Sequence, residues 1–267
     1  METPLTPAAR SWRPCRTALS VTGIGGYTRA LNPYLGCEFG CTYCYATYMA
    51  RRHRGGEPWG RFVDAKLNIA DVLEAELARG PLDGRVLVSS VCDAYQPWER
   101  ELGLTRTCLL QLAAAGTGVG VLTKSDLVTR DLDVLAAIPD VDLGFTITTL
   151  DPHLARRFEP GAPTPRRRLD AAARAVDTGI PVWVFVAPVL PPGGVDGVAD
   201  VVEAAASVGA GLVRVDFMNR KRYIAERLRR HLDAPAHQEV MDFDFQRLKA
   251  ELAPRLRRSG VRVEFMY

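Results

Sequence analysis

Residues 32 to 46 read Asn-Pro-Tyr-Leu-Gly-Cys-Glu-Phe-Gly-Cys-Thr-Tyr-Cys-Tyr-Ala, which sets Cys37, Cys41 and Cys44 in a C-x3-C-x2-C run. Three thiolates this close can bind three irons of a cubane and leave the fourth open, giving a reactive site as well as an electron relay. Zinc would ask for a fourth ligand, normally from a second Cys or His pair. No such pair follows. Cys15, Cys92 and Cys108 stand alone, and His53, His153, His231 and His237 form no H-x3-H or C-x2-C unit. A disulfide within so short a loop is less suited to the spacing than metal.

Outward from this loop the chain alternates between two periods. A leader at 1–29 is rich in Pro and Gly and carries no sustained pattern. A short strand over 30–35 then delivers the cysteine loop, residues 45–64 are irregular and charged, and Ile69–Leu77 has helical spacing. Strands are expected at 85–91, 118–123, 141–149, 181–189 and 211–217, with helices at 104–115, 132–137, 168–178 and 196–208 between them. Six strands interleaved with helices argue for parallel βαβ units with right-handed crossovers, whose chemistry sits at the carboxyl ends of the strands. The cysteine loop, Cys92-Asp93, Lys124-Ser125, Thr148-Thr149 and Pro191-Pro192-Gly193-Gly194 all fall at such ends. Beyond residue 218 we expect helices near 220–231 and 239–258 and a final strand at 261–265.

With 267 residues, 47% hydrophobic and 24% charged, the chain has material for a sizeable core. The longest apolar runs, such as 182–190, are far short of a membrane span, and residues 1–16 lack a signal-peptide core. A reducing cytoplasm is the expected compartment. The net charge of +3 is mild, and arginine supplies thirty of the thirty-four basic residues. Clusters such as Arg51-Arg52-His53-Arg54, Arg166-Arg167-Arg168 and Arg227-x-Arg229-Arg230 could track a phosphate backbone; solvated helix faces are the commoner origin.

The cysteine run, with Tyr43 just before its last thiol, resembles the signature of the radical S-adenosylmethionine (SAM) superfamily. The wider Asn-Pro-Tyr-x-Gly-Cys-x-x-Gly-Cys-x-Tyr-Cys-Tyr-Ala is similar to the spore photoproduct lyase-like branch. Asp93-Ala94-Tyr95-Gln96-Pro97-Trp98-Glu99, Leu122-Thr123-Lys124-Ser125, Arg130-Asp131-Leu132-Asp133 and Glu159-Pro160-Gly161-Ala162-Pro163 with Arg168-Leu169 follow in that branch's order, from about residue 30 to 210. The resemblance implies a partial (β/α)6 TIM-like barrel over 30–218, open on one side, with the leader at 1–29 and a C-terminal extension at 219–267 packed on it.

It also implies the cofactors: one 4Fe-4S cluster on Cys37, Cys41 and Cys44, and SAM chelating the open iron. An external one-electron reductant of flavodoxin or ferredoxin type is the implied partner, with no membrane involved. Tyr43 would line the adenine pocket. Gly55-Gly56-Glu57 imitates the superfamily's amine-binding triplet but follows no strand; at the proper place stand Ser89, Ser90 and Val91, whose oxygens could accept from the methionine amine or simply bond to backbone. Lys124, one of four lysines, would meet the methionine carboxylate, and Thr146 and Thr148 share a strand face that could bind ribose hydroxyls. Spore photoproduct lyases use a further cysteine near the end of strand two as hydrogen donor. Cys92 is close to that place, although Asp93-Ala94-Tyr95-Gln96-Pro97 follows a broader subgroup than the lyases.

The implied activity is a radical SAM, lyase-like enzyme in which a 5′-deoxyadenosyl radical abstracts hydrogen, with a nucleic-acid photolesion as candidate substrate. The alternatives are a radical SAM enzyme acting on a peptide or small metabolite, and a zinc- or cluster-stabilised nucleic-acid binding module without catalysis.

Overall fold

A computed structural model of the chain describes residues 8–256 and 259–266. In chain order the elements begin with β1 (Ala9–Trp12), β2 (Leu19–Val21), β3 (Arg29–Leu31), β4 (Tyr34–Gly36), α1 (Tyr48–His53), β5 (Phe62–Ala65) and α2 (Ile69–Leu77). Next come β6 (Val86–Val88), α3 (Glu99–Leu102), α4 (Leu104–Ala114), β7 (Val119–Thr123), α5 (Leu132–Ala136), β8 (Val141–Thr146), α6 (Pro152–Phe158) and α7 (Pro165–Asp177). The chain closes with β9 (Val182–Val186), α8 (Gly194–Ser207), β10 (Leu212–Val215), α9 (Arg222–His231), α10 (Ala234–Asp242), α11 (Phe245–Leu256) and β11 (Arg262–Phe265).

The larger sheet runs β11-β10-β9-β8-β7-β6-β3-β2 and does not close on itself, as a partial barrel requires. β3, β6, β7, β8, β9 and β10 are parallel neighbours, β11 continues the parallel order, and β2 caps the other edge antiparallel. One face of each strand carries the β-branched and aromatic residues that bury against helices: Val86, Val88, Val119, Val121, Phe145, Val184, Val186, Val213 and Val215 join Leu109, Leu112, Ala172 and Val201 in one core. Removing these side chains from water supplies the drive, about 1.5–3 kcal/mol for each large one. The opposite, concave face is sparser. Gly120 and Gly144 leave room there for Tyr27 and Trp183, whose rings a methyl group at either position would strike. Trp183 Nε1 donates to Asp142 Oδ1 at 2.6 Å, and Arg85 pairs with the same carboxylate, knitting the amino-terminal end of the barrel together.

Several expectations are corrected. The strand over 30–35 is two strands in two sheets, because Pro33 offers no N–H to a ladder and Asn32 turns its side chain to other work. β4 leaves the barrel for a small sheet, β1-β5-β4, in which the supposed leader supplies β1 and the supposed irregular stretch supplies β5. That stretch also holds a 3-10 turn at Tyr45–Thr47 and α1. The strand over 85–91 stops at Val88, since Ser89 adopts a positive φ of 80°. The helix over 239–258 is broken, with Asp244 accepting from the Gln246 and Arg247 amides to start α11; residues 257–258 lie outside the described ones. Among the described residues no helix is long and apolar enough to cross a membrane.

Candidate active site

The cysteine loop is stitched to its surroundings from every side. Gly36 takes φ +89°, and a Cβ there would lie 2.5 Å from the Phe62 carbonyl oxygen. Gln96, fully buried, accepts from the Glu38 amide at 2.9 Å, while Glu38 Oε2 accepts from the Trp98 amide at 2.8 Å, so the Tyr95-Gln96-Pro97-Trp98 segment clasps the loop. The Thr42 amide donates to the Phe158 carbonyl at 2.8 Å and the Gly161 amide to the Phe39 carbonyl at 3.0 Å. Gly161 is required by contact: its added Cβ would lie 2.4 Å from the Glu38 carbonyl oxygen.

Within this cradle Cys37 and Cys41 are buried, Cys44 is half-buried, and all three thiols are free. Burial pushes the Cys37 thiol well up, with Asp93, Cys41 and Cys44 adding to the rise. Burial likewise pushes Cys41 up to about 12, against the pull of Lys124. Thiolates desolvated this strongly need positive charge at contact, which a bound metal centre supplies. Among the described residues no three His, Cys, Asp or Glu side chains are grouped closely enough to hold one metal ion. A cubane asks for less convergence, since each thiolate meets a different iron. Three cysteines on one short loop are the donor set a cluster of this kind uses.

Three other strand ends face this loop. After β6, Ser89 accepts from the Ala94 amide with its hydroxyl at 2.8 Å. Ser90 accepts from Asn32 Nδ2 at 2.8 Å with its hydroxyl, and from the Tyr45 phenol with its carbonyl. Asn32 Oδ1 in turn accepts from the Ser90 and Val91 amides, both at 2.9 Å, and lies 3.6 Å from Cys92 Sγ. Cys92 is half-buried, and burial pushes its thiol up to about 12. The first residue of the cysteine segment thus brackets the loop expected to meet the methionine amine. Asn32→Ala should cost about 1–3 kcal/mol, because two half-buried amides lose their shared acceptor. A chemical melt compared with wild type checks this, and a change under 1 kcal/mol would remove Asn32 from that role.

After β7, Lys124 holds its ammonium 5.6 Å from the centroid of the Tyr43 ring. Burial lowers its pKa, but Cys41 and Glu159 outweigh that and hold it above its ordinary value, so it stays charged. Its backbone is fixed by Asp93, which accepts from the Lys124 amide at 2.8 Å and from the Thr123 hydroxyl at 2.7 Å. After β8, Thr146 and Thr148 are both buried, and Thr148 donates to Glu159 Oε1 at 3.1 Å. Glu159 also accepts from the Tyr43 phenol and pairs with Arg168 Nη1 at 2.5 Å. Burial opposes ionisation of Glu159, yet Arg168, Lys124 and the Tyr43 hydroxyl hold its carboxyl below the usual range.

Sequence reasoning placed Tyr43, Lys124 and Thr148 near the cysteines, and in the structure they share this network. Asn32, Gln96, Glu159 and Arg168 appeared in the sequence only as motif letters. For Asn32 and Gln96 there was a chemical signal, a polar residue among apolar neighbours; Glu159 and Arg168 stand in a charged, Pro-rich stretch that gives none. Arg227 of α9 carried no signal at all among its arginine neighbours; its Nη2 donates to the Gly40 carbonyl at 2.9 Å.

The sequence profile of the Radical SAM superfamily matches residues 31–205. An uncharacterized protein of Methanocaldococcus jannaschii is 34% identical over 173 residues, 65% of this chain and 64% of that one. An uncharacterized protein of Mycobacterium tuberculosis is 35% identical over 186 residues, 66% of this chain and 55% of that one. The chain spans between about half and two thirds of the length of these relatives. Among solved structures, spore photoproduct lyase complexed with dinucleoside spore photoproduct superposes with TM-score 0.72 at 17% identity, covering 96% of this chain and 82% of that one. SuiB of Streptococcus suis bound to S-adenosylmethionine gives TM-score 0.59 at 12% identity, covering 98% and 51%. With a profile match over more than half its length and the open parallel barrel to go with it, the chain belongs to the radical SAM superfamily.

Proposed function

We propose that the chain is a radical SAM enzyme that holds one 4Fe-4S cluster on Cys37, Cys41 and Cys44 and acts on a nucleic-acid substrate of the photolesion kind. When bound, the reduced cluster and SAM supply a 5′-deoxyadenosyl radical. The chain's own residues do the rest. Lys124, charged beside the Tyr43 ring, binds the methionine carboxylate. Ser89 and Ser90, held by Ala94 and Asn32, offer oxygens to the amine. Thr146 and Thr148 take the ribose side, and Tyr43, pinned at its phenol by Glu159, forms one wall for the adenine. Cys92, its thiol kept protonated by burial, is the candidate hydrogen donor to a product radical.

The observation that carries this reading is the convergence of the β6, β7 and β8 ends on the three-cysteine loop, with a single lysine between them. Nucleic acid is favoured by the rim: Tyr45 and Tyr48 are 45% and 40% exposed beside the loop, with Tyr223 hydrogen-bonded to the Tyr45 carbonyl at 3.1 Å and exposed arginines on α1. Aromatic rings interleaved with cations form a platform on which unstacked bases can rest. The solved structure of spore photoproduct lyase with a dinucleoside photoproduct supports the substrate class by likeness of fold.

The test is anaerobic reconstitution with iron and sulfide, then incubation with SAM, dithionite and ultraviolet-irradiated or untreated oligonucleotide. The expected result is 5′-deoxyadenosine in every arm, with faster formation and deuterium transfer only on irradiated DNA. Cleavage of SAM without any response to DNA would discard the substrate; no cleavage at all would discard the activity.

A further inference from the structure

The apolar residues of α9 and α10 do not join the barrel's core. Ile224, Leu228, Leu232 and Val240 pack with Cys37, Cys41, Phe39, Trp59, Phe62 and Phe158 in a second cluster centred on the cysteine loop. From this cover Arg227 reaches inward. Its Nη2 donates to the Gly40 carbonyl at 2.9 Å, and less closely to that of Trp59 at 3.4 Å, both beside the loop's tightest turn. Its Nε is buried and has no partner. A buried guanidinium N–H left idle is costly, and a bound group at the loop would satisfy it. The loop it grips carries Cys41 directly after Gly40 and Cys44 three residues further on, and both sulfurs pack in this same cluster.

Resting on the cluster reading above, we propose that Arg227 positions the cysteine loop through one nitrogen and donates its idle Nε–H to a sulfur at the Cys44 side of the cluster, thereby setting the cluster's reduction potential. Reduction adds one negative charge to the cluster. A cation and an N–H bond aimed at its sulfur stabilise that charge more than the oxidised form, which raises the potential. Arg227 is a positioning and tuning residue that transfers no atom itself.

The measurement is a redox titration of the reconstituted full chain, without substrate, alongside iron and sulfide content. Arg227→Gln keeps a donor but not the charge. At a fixed applied potential its ratio of reduced to oxidised cluster should fall about tenfold, a downward shift of about 59 mV for a one-electron couple. Arg227→Lys keeps the charge and loses the second N–H, so its midpoint should lie between the two. A loaded Arg227→Gln protein with the wild-type midpoint would overturn the proposal. Should that variant fail to retain iron, a lysine variant with an unshifted midpoint overturns it instead. A wild-type chain that forms no cluster would sink the cluster reading, and this inference with it, and is told apart by its iron content alone.

Discussion

Single replacements Cys37→Ala, Cys41→Ala and Cys44→Ala should each reduce cubane content after reconstitution, and 5′-deoxyadenosine formation, to background. On the proposed ligation each thiolate would be the sole protein ligand of its iron, and two ligands would leave the cage with two unprotected corners. Cys15 and Cys108 are not placed to substitute. Cys108 is fully buried in the barrel core, and Cys15 packs against that same core with its amide held by Asn68 at 2.8 Å. Cys15→Ala and Cys108→Ala should therefore retain the full iron content, which makes them the controls. The apo variants should keep a folded barrel, because the larger core owes nothing to these three thiols. Comparable SAM cleavage by the triple alanine variant would refute the ligand assignment.

Arg168→Met should be the most destabilising change outside the sulfurs, by about 3–5 kcal/mol, the usual cost of stripping one partner from a buried ion pair. Arg168 is 1% exposed and Glu159 likewise. Beyond the carboxylate, Arg168 donates to the Pro163 carbonyl at 2.8 Å and to the Thr146 carbonyl at 3.0 Å, so the loss leaves three acceptors unmet. Adding Glu159→Gln should recover part of the loss, since the uncompensated charge is then gone. Because the carboxyl of Glu159 is held below its usual range, the pair contributes stability above the unfolded pKa and loses it as pH falls through the lowered one. Urea melts of the single and double variants at neutral pH decide the matter; a single variant within 1 kcal/mol of wild type would show the pair to be dispensable.

How much of this was legible beforehand follows from what each residue does. The barrel strands were readable because one whole face of each is buried under helices, which selects runs such as Val-Leu-Val at 86–88 and Val-Trp-Val-Phe-Val at 182–186. The cysteine loop was readable because sulfur spacing has few other uses. The break at Asn32-Pro33 was not, since strand-forming residues continue on both sides and only the tertiary bracket to Ser90 and Val91 decides against one strand. β1 and β5 pair across fifty residues of chain that show no mutual pattern. The Glu159–Arg168 pair has nothing in its nine-residue spacing to announce that both ends are dry. Arg227 looked like Arg229 and Arg230, which are exposed; the packing of α9 alone singles it out.

The two separate apolar interiors carry a last implication. The smaller one is assembled from pieces of chain as distant as Leu35 and Val240, and its centre is the loop proposed to cradle a reactive inorganic guest. Air that corrodes such a guest would slacken the tail helices while leaving the wheel of strands intact. A trace of trypsin, finding its arginines newly within reach, would then convert a colour change into a shorter band on a gel.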